Sequence, residues 1–155
     1  MKKLGLLIPI LSLLLLSGCA INKATGSRDP NFEASKINYL YVAHQPKDKR
    51  NINLLIQTEL EKRGYKVDTG SKVKAPKSID GLVTYIDKWM WDITNYMIEL
   101  SVFIRNPENN FPIAQGYSMH TSLTRKSPEE MVKEVVANML GEGETKEKAN
   151  VASNK

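Results

Sequence analysis

One cysteine and two histidines are all the thiol and imidazole side chains that the 155 residues carry. With Cys19 alone, no disulfide can close within the chain, and stability has to come from packing. His44 and His120 have no second ligand at metal spacing, so no metal residue is expected, and each histidine reads as structural or surface. There is no Gly-x-Gly-x-x-Gly, no phosphate loop and no Gly-x-Ser-x-Gly elbow, so no cofactor and no nucleophilic serine are expected. No run reaches the roughly 20 apolar residues of a membrane-spanning helix. The longest, Leu4–Leu16, is shorter and holds Gly5 and Pro9, both poor helix formers. The net charge of +5 is too small an excess for a nucleic-acid binder.

What is present begins at the start of the chain. Lys2 and Lys3, the apolar stretch and the small residues Ser17 and Gly18 make a secretory signal over residues 1–18. Its end, Leu16-Ser17-Gly18-Cys19, resembles the lipobox of bacterial lipoproteins. That resemblance implies cleavage between Gly18 and Cys19, a diacylglycerol on the Cys19 thiol and acylation of the new amino group. The alternative, an ordinary signal with a chance cysteine, leaves a free thiol in an oxidising space, a disfavoured arrangement. Each buried methylene contributes about 0.8 kcal/mol, and one acyl chain holds a protein only marginally, so two or three chains on one residue make a firm anchor. Ala20, where an Asp would favour inner-membrane retention, points to the periplasmic face of the outer membrane.

Residues 19–36 are polar and aperiodic, with Asn22, Gly26, Asp29, Pro30 and Ser35, and read as the acylated Cys19 followed by a flexible tether. A strap that orders on docking is the alternative. Residues 37–140 carry the periodic patterns of a globular domain, and 141–155 are polar, charged and read as a disordered tail. Ile37–Ala43 is apolar on both faces, as a central strand should be. Asp48 or Asn51 is placed to cap a helix with Ile52, Leu55, Ile56 and Leu60 on its apolar side and Gly64 at its end. A short strand, Tyr65–Val67, precedes an exposed lysine-rich loop over 68–80. Three strands follow as a meander: Gly81–Asp92, Tyr96–Arg105 and Ile113–Leu123, the second with Tyr96, Ile98, Leu100, Val102 and Ile104 at period two. Ser127-Pro128-Glu129-Glu130 is a capping-box start for a last helix, which Gly141 ends. The expectation is a two-layer α+β domain in the order β-α-β-β-β-β-α, with two helices on one face of a mostly antiparallel sheet of four to five strands.

The string Thr84-Tyr85-Ile86-Asp87-Lys88-Trp89-Met90-Trp91-Asp92, the later Tyr96 and the earlier Arg63-Gly64-Tyr65 resemble a family of small Gram-negative lipoproteins with a lipobox and a Trp-x-Trp-Asp strand. The resemblance covers 37–140 and implies no catalytic residues. The element order is similar to the lipopolysaccharide-assembly lipoprotein and to the N-terminal domain of the Tol-system periplasmic protein, a likeness of topology that does not fix function.

Tyr85, Trp89, Trp91 and Tyr96 are the candidate partner or ligand patch. Tyr85, Trp89 and Trp91 share strand parity, so they are core if that face lies under the helices and a contact surface if it lies outside. Asp87, Asp92 and Glu99 are the carboxylates that a hydrolase would need as a pair, although Asp92 more simply begins a turn. The leading expectation is a non-enzymatic lipoprotein, held in the membrane by the lipid on Cys19, that acts as an accessory module for an envelope protein partner. A binder of lipid or glycolipid using Trp89 and Trp91 is the second reading, and a hydrolase the third.

Overall fold

The computed structural model describes residues 22–142. The signal, Gly18, Cys19 and the tail beyond Glu142 lie outside the described residues. A six-stranded sheet has the order β1-β6-β5-β4-β2-β3. In chain order the elements are β1 (Asn22–Arg28), β2 (Tyr39–His44), α1 (Ile52–Glu61), β3 (Lys66–Ser71), β4 (Gly81–Asp92), β5 (Thr94–Arg105), β6 (Pro112–His120) and α2 (Pro128–Leu140). Short 3-10 turns sit at Ala34–Lys36, Lys72–Lys74 and Ser122–Thr124.

The α+β class with two helices is as expected. The sheet is larger and more mixed than expected. β4, β5, β6 and β1 pair antiparallel, whereas β2 pairs in parallel with both β3 and β4. The parallel half follows from the β2-α1-β3 crossover. The expected tether over 19–36 is corrected from Asn22 onward: Asn22–Arg28 is a seven-residue edge strand registered on β6 from Asn22↔His120 to Arg28↔Ala114. Its order is therefore β-β-α-β-β-β-β-α. Hydrophobic alternation could not reveal a strand of sequence NKATGSR, whose place is fixed by backbone pairing.

The core lies between the sheet and both helices. Leu40 and Val42 of β2, Val83 and Tyr85 of β4, and Leu100, Val102 and Ile104 of β5 face Ile52, Ile56 and Leu60 of α1 and Met131, Val135 and Met139 of α2, all buried. The β5 alternation holds except at one point. The register shifts so that Lys88 pairs Glu99 but Trp89 pairs Met97, leaving Ile98 as the added residue of a bulge. Met97, not Ile98, therefore enters the core.

On β6 the buried residues are the small Ala114, Gly116 and Ser118 together with His120, and not the larger alternate set. The reason is the closeness of α2. A Cβ on Gly116 would stand 2.2 Å from the Val135 carbonyl oxygen, and one on the paired Gly26 would stand 2.0 Å from that of Asn138. α2 starts as expected, with the Ser127 hydroxyl accepting from Glu130 N at 3.2 Å and the Glu130 carboxylate accepting from Ser127 N at 2.9 Å. Gly141 ends it at φ 86. Arg63 ties the two helices' C-terminal ends by bonding the Glu59 carbonyl and the Glu142 carboxylate.

The lysine-rich loop is partly a second layer. Ile79 and Ala75 pack with Tyr41, Ala43 and Leu82 on the sheet face opposite the helices. Across β4, β5, β6 and β1 that face is covered among the described residues at the β4–β5 end, where Arg125 lies over Tyr96, and carries exposed and half-buried side chains around Ile86.

Candidate functional site

The four aromatic residues of the expected patch do not form one surface. Tyr85 is core: its hydroxyl donates to Asp48 Oδ2 at 2.7 Å and accepts from Gln45 N at 3.3 Å. The same Asp48 oxygen accepts from Ile52 N at 2.8 Å and Asn53 N at 3.3 Å, so Asp48 caps α1 although Asn51 occupies the cap position. Asn51 instead takes a left-handed conformation, φ 57, that asparagine tolerates. Burial opposes the Asp48 charge, but the Tyr85 hydroxyl and the backbone N–H groups outweigh it, and the carboxyl titrates below its usual range. Burial first, and then the Asp48 bond, push the Tyr85 phenol well above its usual value.

Trp89 is half-buried at the rim of the helix layer. Its indole N–H donates to Asp87 Oδ2 at 2.6 Å, and the Arg50 guanidinium lies 4.0 Å from its ring centre. Arg50 also reaches the adjacent strand, where the Asn95 amide oxygen accepts from it at 2.8 Å. Trp91, two residues on, passes beyond the helix layer and is 74% exposed. Tyr96 pairs Met90 and so faces the opposite side of the sheet. There it is buried, with the Arg125 guanidinium 4.3 Å from its ring centre.

The turn between β4 and β5 is a single residue, Ile93, at φ 58, a conformation rare for a β-branched side chain. A polar clamp fastens it. Asp92 Oδ2 accepts from the Ser122 hydroxyl at 2.6 Å and from Arg125 at 3.0 Å, and Arg125 also donates to Thr94 Oγ1 at 2.7 Å. The clamp brings the Ser122–Arg125 segment against the hairpin and leaves Ile93 and Leu123 in the open, 87% and 79% exposed.

Sequence reasoning missed a polar cluster between β6 and α2. Glu134 of α2 accepts from Ser118 Oγ at 2.5 Å and His120 Nε2 at 2.7 Å, and it also binds Lys126. His120 is buried, and its Nδ1 has no partner. Burial opposes the Glu134 charge, but Lys126, Ser118 and His120 together lower its pKa. Serine and histidine both bond the carboxylate rather than each other, so the order of groups needed to activate a serine is not made. The only signal in the sequence was the lone His120; its partner lies on another element. The carboxylates weighed for hydrolysis are engaged separately: Asp87 with Trp89, Asp92 with Ser122 and Arg125, and Glu99 with Lys88 at 2.5 Å. No group of three or more metal-ligating side chains occurs among the described residues.

The open sheet face carries Ile86, 53% exposed, with half-buried Ser101, Phe103, Tyr117 and Met119 around it. Lys23 lies over Tyr117, with 5.8 Å to the ring centre, and Arg105 lies over Phe103 at 5.0 Å. No helix among the described residues is long and apolar enough to cross a membrane.

No protein-family model matches the chain, and no curated protein does. Solved structures do. A variant PelC dodecamer from Paraburkholderia phytofirmans is 11% identical, with a TM-score of 0.56 over 77% of this chain and 97% of that one. A second PelC dodecamer structure from the same organism is 10% identical, with a TM-score of 0.52 over 77% and 95%. A PDZ domain protein from Parabacteroides distasonis is 9% identical, with a TM-score of 0.48 over 83% of this chain and 38% of that one. At these identities the likeness to PelC is one of fold.

Proposed function

We propose that the chain is a lipid-anchored bacterial lipoprotein whose α+β domain is a non-enzymatic interaction module at the periplasmic face of the outer membrane. The observation that carries this is the chain's one cysteine, standing at the last position of Leu16-Ser17-Gly18-Cys19 behind a short signal stretch. Two features of the domain support it. Among the described residues, Asp87, Asp92 and Glu99 are engaged separately, with Trp89, with Ser122 and Arg125, and with Lys88. One broad sheet face, around Ile86, Phe103 and Tyr117, is free to take a partner, in keeping with the polar-rimmed apolar surfaces of protein contacts. That partner is an envelope protein or a further copy of this chain; PelC, of similar fold, assembles as a dodecamer.

Growth with labelled palmitate is the direct test. The wild type takes up label and stays with the membrane, and Cys19→Ser does neither. If Cys19→Ser is processed and retained like the wild type, the reading is wrong. Crosslinking in intact cells from Ile86 or Tyr117 then identifies the partner, a self-crosslink assigning the face to assembly.

A further inference from the structure

We propose that the β4–β5 hairpin tip is a membrane wedge: Trp91, Ile93 and Leu123 sit in the interface of the bilayer that holds the lipid on Cys19. The inference rests on the anchor reading above and adds which end of the domain faces the lipid.

Strand directions supply the geometry. β4 and β6 run the same way, so Asp92 and His120 leave the sheet at one end. β1 runs against β6 and begins at that end, where Asn22 pairs His120. One row of the sheet crosses Lys23, Met119, Glu99 and Lys88. From Lys88 the hairpin projects five residues to Ile93, roughly 17 Å at the usual rise of a strand. From Lys23 back to Cys19 is four residues, at most about 14 Å when fully extended. The anchor therefore leaves the fold at the hairpin end on a leash too short to reach past the tip. With a strand at Asn22–Arg28 in place of a long tether, the domain is held with its tip toward the membrane.

The side chains fit that setting. Trp91, Ile93 and Leu123 are 74%, 87% and 79% exposed at the hairpin end, Trp91 on the helix side of β4 and Leu123 in the segment fastened to Asp92 on the other. Tryptophan favours the headgroup level of a bilayer, and aliphatic side chains favour the region just below it. The loop after β2 opens toward the same end, since β2 runs parallel to β4, and it carries exposed Lys47 and Lys49. A cation near an anionic surface contributes about 1 kcal/mol. Ile93 keeps a strained backbone with no burial to reward it in the free protein. The Asp92–Ser122–Arg125 clamp fastens the segment that carries Leu123 to the hairpin that carries Trp91 and Ile93.

The test uses the full acylated protein in vesicles of phosphatidylethanolamine and phosphatidylglycerol whose acyl chains carry bromine, a contact quencher of indole. The wild type has two tryptophans, and about half of its emission, the share of Trp91, is expected to be lost relative to unbrominated vesicles. Trp91→Phe removes the quenching and leaves the emission of Trp89, and Leu123→Asp reduces it. A labelled, vesicle-bound wild type with equal emission in both vesicle types overturns the wedge alone. Absence of label on Cys19 overturns the anchor, and the wedge falls with it. A photocrosslinker at Ile93 that captures an envelope protein instead of lipid in cells assigns the tip to a protein partner and also overturns the wedge.

Discussion

The two sides of one sheet are built to opposite rules. On the helix side, space is exhausted: Gly26 and Gly116 face each other across β1 and β6, and the backbone of α2 occupies the volume where their side chains would be. On the other side and at the hairpin tip, large apolar groups stand in solvent and one of them is strained. Tight packing fixes the fold, and close backbone approach is how small residues contribute to it. The open side adds nothing comparable to the fold, which is why contact and anchoring are sought there. This contrast makes unequal demands on substitutions, and the largest effect belongs to the crowded side. Gly116→Val puts a branched side chain against the Val135 carbonyl, which cannot rotate away. We expect a loss of about 3 kcal/mol in denaturant unfolding, the upper end of ordinary overpacking. Thr25→Val, one residue from Gly26 but on an exposed position of β1, should change stability by about 0.5 kcal/mol or less. Equal costs at the two sites would mean that α2 is not seated on the glycine pair.

The crowded side also depends on two carboxylates, buried Asp48 and half-buried Glu134, and these give the next two effects. Asp48→Ala removes the α1 cap and the acceptor of the Tyr85 hydroxyl at once. About 2 kcal/mol should be lost. Tyr85→Phe alone should cost about 1 kcal/mol, and the double variant less than the two single costs combined, because the partners share one bond. Glu134→Gln should cost about 1.5 kcal/mol near neutral pH by weakening the bonds from Ser118, His120 and Lys126. Its sign with pH is fixed. The folded-state pKa of Glu134 is lowered from 4.5, so its stabilisation is full above that value and is lost as pH falls through the lower folded-state value. The denaturant midpoint of the wild type should therefore fall more steeply than that of Glu134→Gln as pH drops below 4.5. Parallel acid limbs for the two proteins would remove Glu134 from the account.

Much of the crowded side could be read in the sequence, because burial writes itself as period. The apolar run of β2, the Leu100, Val102 and Ile104 face of β5 and the Ser127-Pro128 start of α2 all appear where their patterns put them. β1 could not be read so, since Gly26 has to be small where the backbone of α2 comes close, and smallness looks like a linker. The bulge that exchanges Ile98 for Met97 depends on pairing with β4, which the alternation of β5 alone does not encode. The Ser118, His120 and Glu134 cluster is assembled from two elements with no local signature. Trp89 and Trp91 share parity, yet one is half-buried and the other exposed. What separates them is that Trp89 packs against the core under Arg50 while Trp91 does not, a tertiary contact that parity does not encode.

The tip supplies the smallest expected effect and the one of opposite sign. An L residue in the left-handed region costs roughly 1–2 kcal/mol, and Ile93 pays this at φ 58 while its side chain stays in solvent. Glycine escapes that cost but gives back about 0.5–1 kcal/mol through its greater freedom in the unfolded chain. Ile93→Gly should therefore raise stability by about 0.5–1 kcal/mol, and Ile93→Asn, which tolerates the same conformation, should fall between it and the wild type. Both variants should at the same time lose part of the bromolipid quenching of Trp91, since the apolar group beside it is gone. A gain in stability coupled to a loss of membrane contact is the signature of a residue kept for the surface it meets and not for the fold. If Ile93→Gly lowers the denaturant midpoint instead, the isoleucine side chain is packing against the domain, the tip is part of the core, and the contrast between the two sides of the sheet does not extend to it.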